Sequence, residues 1–230
     1  WKRLKKSRLA MLGLAGLLIL LICALFADFI APYDYALQDY NALNEKPSLE
    51  HIFGTDNFGR DIFSRVIYGA RISLVMGLIS LAVGALIGCF LGAVAGFFGK
   101  KLESLIMRAC DIMMAIPSTV LAIVIATTLG PGLLNAIIAL SISTIPTFAR
   151  VVRGSTLTVK DQEYIEAARC IGAKNGHIIM HYVFPNVLAP IIVQATLGIG
   201  KSIIMLASLS FLGLGIQPPT PEWGSMLSTA

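Results

Sequence analysis

Long stretches without a single charged residue set the first limit on what this chain can become. Residues 9–27, 72–98 and 182–200 contain no Asp, Glu, Lys or Arg. Neither does the stretch 112–149, which the turn Gly130-Pro131-Gly132 divides into two. A bilayer's hydrocarbon is about 30 Å thick, so a helical span needs about 20 such residues at a rise of 1.5 Å each. The runs are continuous, whereas a transmembrane barrel would alternate over segments of about ten residues. An all-α integral membrane protein with five spans is therefore expected. Composition excludes the alternatives: 56% of the residues are hydrophobic, 13% are charged and the mean hydropathy is +0.79. A soluble domain carries about 25% charged residues and could not hide this much apolar surface. Apolar residues are too abundant for disorder.

The charges sort by loop. Lys2, Arg3, Lys5, Lys6 and Arg8 precede the first span with no acid among them. The stretch 28–68 holds Asp28, Asp34, Asp39, Glu45, Glu50, Asp56 and Asp61 against Lys46, Arg60 and Arg65. Residues 99–108 carry Lys100, Lys101 and Arg108 against Glu103, and 150–181 carries Arg150, Arg153, Lys160, Arg169 and Lys174. Basic loops stay in the cytoplasm. The N-terminus and 150–181 are thus expected inside and 32–68 outside, and every loop obeys the alternation. The net charge of +5 then needs no nucleic acid to account for it. A cleaved signal peptide would have an apolar core of about 7 to 15 residues; the first run is longer and lacks a small-x-small site, so it is read as a span. Organisation follows: 1–31 basic segment and first span, 32–70 extracytoplasmic loop, 71–230 membrane core with a cytoplasmic loop at 150–181. A chain that starts at Trp1 and ends at Ala230 after an odd number of spans reads as cut at both ends.

Several motifs have plain structural readings. Gly84, Gly88, Gly92 and Gly96 recur every four residues and form a smooth ridge that lets another helix approach closely. Arg108 and Asp111 are spaced to pair across one helical turn. Gly200-Lys201-Ser202 resembles the end of a phosphate-binding loop, but Ala195 stands where its first glycine belongs and no strand precedes it. Cys170, His177 and His181 could share a helical face as metal ligands, yet Gly172 interrupts that helix, so no metal is assigned. No catalytic constellation emerges. Lys201 interrupts an apolar run, and a lysine at a helix centre costs about 2.5–3.5 kcal/mol on insertion scales. A span that starts at Tyr182 would be about 30 Å long by residue 201, which puts Lys201 at the outer edge of the hydrocarbon. It either snorkels there or lines a translocation path.

The cytoplasmic loop is the most informative stretch. Residues 161–171 alternate acids with small residues and end at Gly172, after which a second helical stretch leads to Pro185. A helix–glycine–helix of this kind has the form of a docking knob. Glu166-Ala167-Ala168, then Gly172, then Pro185 resembles the EAA signature of binding-protein-dependent ABC importer permeases. Tyr182 and Phe184 stand at positions where that pattern has Ile and Leu. Phe53-Gly54-Thr55-Asp56, Gly59-Arg60-Asp61, Ser64-Arg65 and Tyr68-Gly69-Ala70-Arg71 narrow the resemblance. So do Ser210-Phe211-Leu212-Gly213-Leu214-Gly215 and 218–224. Together they look like the C-type permease subunit of the bacterial dipeptide/oligopeptide/nickel ABC importer family.

That resemblance implies an ABC importer permease fold with six spans, of which five are present, and a place in the bacterial inner membrane. It implies a second, homologous permease as heterodimer partner, two ATP-binding cassette subunits that hold ATP and Mg, and an extracytoplasmic substrate-binding protein that lands on 28–68. No cofactor is expected in this chain, which is not itself an enzyme. Glu166, Ala167, Ala168, Gly172 and Pro185 would couple to the ATPase, and Lys201 is a candidate for the path. Peptide is the first substrate reading; nickel and glutathione importers share these motifs. An ion-driven secondary transporter or a membrane scaffold is the rival class, but no internal repeat or intramembrane acid supports the former. Single cysteines at Asn44 and Lys174 are expected to react with an impermeant thiol reagent from opposite sides of the membrane. Labelling of both from one side would overturn this topology.

Overall fold

The computed structural model describes residues 7–229, so the basic cluster at residues 2–6 lies outside the described residues. Among the described residues there is no strand beyond an isolated bridge between Thr55 and Asp61. Helix α1 (Arg8–Leu25) is followed by a single turn, α2 (Ala27–Ile30), and then by α3 (Ile62–Phe98). Next come α4 (Lys100–Met114), α5 (Ser118–Leu129), α6 (Leu133–Val159) and α7 (Glu163–Cys170). A run over Asn175–Phe211 joins α8 (Asn175–Ile178), a π-helical turn (Ile179–Val183) and α9 (Phe184–Phe211), before a short α10 (Trp223–Ser228). Four of these stretches are each long and apolar enough to cross a membrane: α1, α3, α6 and Asn175–Phe211.

A fifth crossing exists only if α4 and α5 count together, and they are bent by 90°. The span expected at 112–129 is thus a broken one. Pro117 has no N–H to donate and its ring disfavours helical backbone at Ile116, so α4 ends at Met114 and α5 restarts at Ser118. With 12 residues, α5 is about 18 Å long, short of the bilayer core. The 130–132 turn follows, where Gly130 and Gly132 take φ of 85° and 146°. The Asn135 amide donates to the Leu129 and Gly130 carbonyls at 2.9 and 3.1 Å. Two loops shrink against expectation: 62–71 is the first part of α3, and 150–159 continues α6.

The chain divides into two compact units, 1–76 with 207–230 and 77–206. In the first, motif stretches far apart in sequence meet. Asp61 is buried and accepts from the Ser64 N–H at 2.7 Å, which caps α3; its other oxygen lies 2.9 Å from Nδ1 of buried His51. Arg65 donates to the Tyr35 and Pro219 carbonyls at 2.8 and 3.2 Å. The Trp223 indole donates to the Val66 carbonyl at 3.1 Å, with its ring over Gly69. Glu222 is fully buried and is held by the Gly224 and Ser225 N–H groups at 2.9 and 3.0 Å and by the Ser73 hydroxyl at 3.3 Å. A buried carboxylate is tolerable only with donors of this kind. Arg71 donates to the Ala24 carbonyl at 2.7 Å and to Asp28 at 3.0 Å. Hydrogen bonds from Arg71 and Tyr68 hold the Asp28 carboxyl below the usual carboxylate range.

The second unit is built on a close contact between α3 and α6. The glycine ridge of α3 faces α6 so tightly that a Cβ on Gly88 would stand 2.6 Å from the Ile145 carbonyl oxygen. A Cβ on Gly92 would stand 2.4 Å from that of Ala149, and one on Gly96 2.7 Å from Thr156 Cβ. Packing within the chain therefore explains the ridge, as its spacing suggested. Ser141 strengthens the contact by donating to the Ser80 carbonyl at 3.0 Å. Gly92→Ala is expected to cost about 1–3 kcal/mol through overpacking against backbone. Gly13→Ala, whose Cβ would meet nothing within 4 Å, should leave stability unchanged or raised. Thermal unfolding of both variants in detergent checks this; equal midpoints would contradict the close contact.

Candidate functional site

Beside the C-terminal ends of α3 and α6 the second unit carries the helix–glycine–helix motif. Helix α7 is amphipathic. Ile165 and Ala168 are buried in a cluster with Phe97 of α3, Val152 of α6, and Ile178, Val183 and Val187 of the following run. The Arg169 guanidinium sits 5.4 Å from the centre of the Phe97 ring, a cation–π contact that ties the helix to the end of α3. Glu166 and Ala167 point outward and are exposed.

Gly172 ends α7 with φ +82°. Its N–H donates to the Arg169 carbonyl at 3.0 Å and the Ala173 N–H donates to that of Ala168 at 3.1 Å. These two bonds make a Schellman cap, which requires the left-handed conformation that glycine adopts without a Cβ penalty. A Cβ there would meet nothing within 4 Å, so backbone angle alone selects glycine. Further on, the π-helical turn precedes Pro185, whose ring would otherwise press on the preceding turn. The Asn186 amide donates to the Tyr182 carbonyl at 2.7 Å.

The five residues of the expected coupling set therefore separate. Glu166, Ala167, Gly172 and Pro185 are exposed, whereas Ala168 is 3% exposed and belongs to the core that anchors the knob. The motif reading also passed over exposed apolar residues around the same knob: Tyr164, Met180 and above all Ile171, which is 82% exposed. An isoleucine beside the capping glycine of a charged loop was the signal available for it in sequence.

Beside the knob, ion pairs fix α4 to α6. Arg153 pairs with Glu103, and Arg150 with Asp111 at 2.5 Å. The second corrects the expected Arg108–Asp111 pair: the approach of α6 brings Arg150 to Asp111, while Arg108 lines the same cleft. His177 stacks on His181 with centroids 4.1 Å apart. Among the described residues no group of His, Cys, Asp and Glu is gathered closely enough to hold a metal ion. Gly200-Lys201-Ser202 lies inside continuous helix α9, a conformation that offers no phosphate loop.

Lys201 lies within continuous helix α9. Ile178, Val183 and Val187 belong to the cluster that holds Phe97 of α3 and Val152 of α6. Gly198 of α9 faces Leu81 of α3. Lys201 lines a cavity of about 40 Å³ with Ser118 of α5, Thr144 and Thr147 of α6, and Gln194 of α9. Thr144 lies well within the uncharged stretch of α6, 133–149. The lysine therefore lies beside the uncharged stretch of α6.

Comparison with known proteins agrees with this architecture. Residues 84–230 match the family model of the binding-protein-dependent transport system inner membrane component, and residues 1–47 match that of the N-terminal TM domain of oligopeptide transport permease C. The dipeptide transport system permease protein DppC of Alkalihalophilus pseudofirmus is 48% identical over 228 residues, 99% of this chain and 75% of that protein. The glutathione transport system permease protein GsiD of Escherichia coli is 49% identical over 231 residues, 100% of this chain and 76% of that protein. Among solved structures, the MetNI methionine ABC transporter in inward-facing conformations matches with a TM-score of 0.61 at 22% identity, covering 73% of this chain and 86% of the other.

Proposed function

The chain belongs to the family of binding-protein-dependent transport system inner membrane components, and from that premise we propose that it is one of two unlike permease subunits of an ATP-driven importer of small peptides. Its fold is that of an ABC transporter transmembrane subunit. Relatives named for dipeptide and for glutathione, itself a small peptide, match almost equally well, which supports the peptide class without choosing within it. On this reading the complex resides in a bacterial cytoplasmic membrane. ATP and Mg bind in two cassette subunits, this chain hydrolyses nothing, and a binding protein delivers cargo to the outer face at residues 32–70.

The observation that carries the reading is the knob. An exposed, thin, acidic helix stands on a hydrophobic seat made of the inner ends of α3, α6 and the α8–α9 run. Close-packed interiors transmit displacement instead of absorbing it. A push on α7 by closing ATPases is therefore delivered through Ile165 and Ala168 to the span ends. Two packed arrangements of those spans, one open outward and one inward, are then biased by cargo from one side and ATP from the other. Glu166 and Ala167 form the contact face together with Ile171, and Gly172 holds its angle. Pro185 begins the helix that carries the motion into the membrane.

Gly172→Val forces a branched residue into a left-handed conformation at a cost of about 1–2 kcal/mol. No membrane-spanning segment is altered. The expected result is normal insertion and assembly with ATP hydrolysis no longer tied to transport. Gly172→Asn, which tolerates the same φ, should retain most coupling. Transport per ATP hydrolysed, at matched amounts of complex, is the measurement. Unchanged stoichiometry in the Val variant would refute the coupling role.

A further inference from the structure

Polar side chains line part of the cavity beside Lys201, although it lies against the uncharged stretch of α6. Its wall includes the Ser118 and Thr147 hydroxyls, the Gln194 amide and the Lys201 ammonium. Among the described residues none of these four side chains has a hydrogen-bond or ion-pair partner. By contrast, neighbouring Ser143 and Thr144 donate to carbonyls of their own helix, at 2.8 and 2.9 Å. No acid lines the cavity, and the sequence holds none between Asp111 and Asp161. Polar groups within a membrane span are retained where they face a water-filled path or a partner, because hydrocarbon offers them nothing.

All four groups can donate hydrogen bonds, and one of them is positively charged. A carboxylate only accepts, and it carries the complementary charge. We propose that Lys201, with Ser118, Thr147 and Gln194, forms a subsite in the wall of the translocation path that takes a carboxylate of the passing cargo. The proposal rests on the peptide reading above and sharpens it. Peptides with a free C-terminus carry this group, whereas a free divalent metal ion would be repelled by an ammonium with no acid beside it. The cavity of about 40 Å³ has room for a single small group and not for a whole peptide, so it grips one end of the cargo. The exposed side of Lys201 leaves the rest of the cargo outside this wall.

The test uses the complete importer, with both permeases, the ATPases and the binding protein, reconstituted in vesicles. Uptake of a free-acid dipeptide is compared with that of its C-terminal amide, with the binding protein loaded to equal occupancy by each. Lys201→Met is expected to lower free-acid uptake about tenfold, equivalent to about 1.4 kcal/mol, and to leave amide uptake unchanged. Lys201→Arg is expected to keep most of the preference for the free acid. Free-acid uptake at the wild-type rate in the Met variant would overturn the proposal, and so would equal loss of both cargoes. A Met complex that fails to assemble while the Arg complex assembles would assign Lys201 to the subunit interface and overturn it as well. Wild-type vesicles that accumulate neither peptide would instead end the peptide reading, and this subsite with it.

Discussion

The contact between α3 and α6 governs the second unit, residues 77–206. Lipid tails are as apolar as leucine, so helices in a bilayer gain little from hiding hydrophobic surface and depend on close packing. Four glycines spaced by four bring one backbone against the other, and a carbonyl of α6 stands where each of two glycine Cβ atoms would be. That register places Phe97 at the end of α3 beside Val152 of α6. The resulting seat receives α7 through Ile165 and Ala168. The same register puts Leu81 and Thr144 around the cavity of Lys201. Knob and cavity thus share one packed pair, the knob beside its C-terminal ends and the cavity midway along it, which is the arrangement a transporter needs if a push on one is to alter the other.

Backbone chemistry shapes what surrounds that pair. Pro117 breaks the third passage and turns α4 by 90° relative to α5, which allows the charged helix α4 to meet Arg150 and Arg153 of α6. A π-helical turn relieves Pro185 at the start of α9. The π-helical turn falls next to the knob, and the Pro117 break falls beside Ser118 of the Lys201 cavity. In a bilayer such irregular backbone persists only where protein satisfies its polar groups, and Asn186 and Asn135 do so here with their amides.

Much of this was legible in the sequence because bilayer physics leaves few choices. Uncharged runs give spans, glycine spacing gives a packing ridge, and Gly172 after an alanine-rich acidic helix gives a cap. The misses have specific causes. Pro117 sits in an uncharged run, and hydropathy alone does not register a bend. Asp111 has Arg108 one turn away, yet the partner it takes arrives from a helix distant in sequence. The letters of the EAA motif do not reveal that a helix has two faces, so Ala168 in the core read the same as exposed Ala167. The meeting of the 53–71 and 210–224 stretches around Glu222 and Trp223 required three dimensions, since no local pattern links them.

The central claim is that the exposed face of α7 and its cap is where the ATPases push. Site-directed thiol crosslinking in the assembled complex addresses it most directly, with exposed Cys170 first replaced by serine. A cysteine in place of Ile171 is expected to crosslink to the ATPase subunit, with a yield that changes on ATP binding. A cysteine in place of buried Ile165 should give none. Absence of an ATPase crosslink at 171 in a complex that still hydrolyses ATP and transports cargo would contradict the claim.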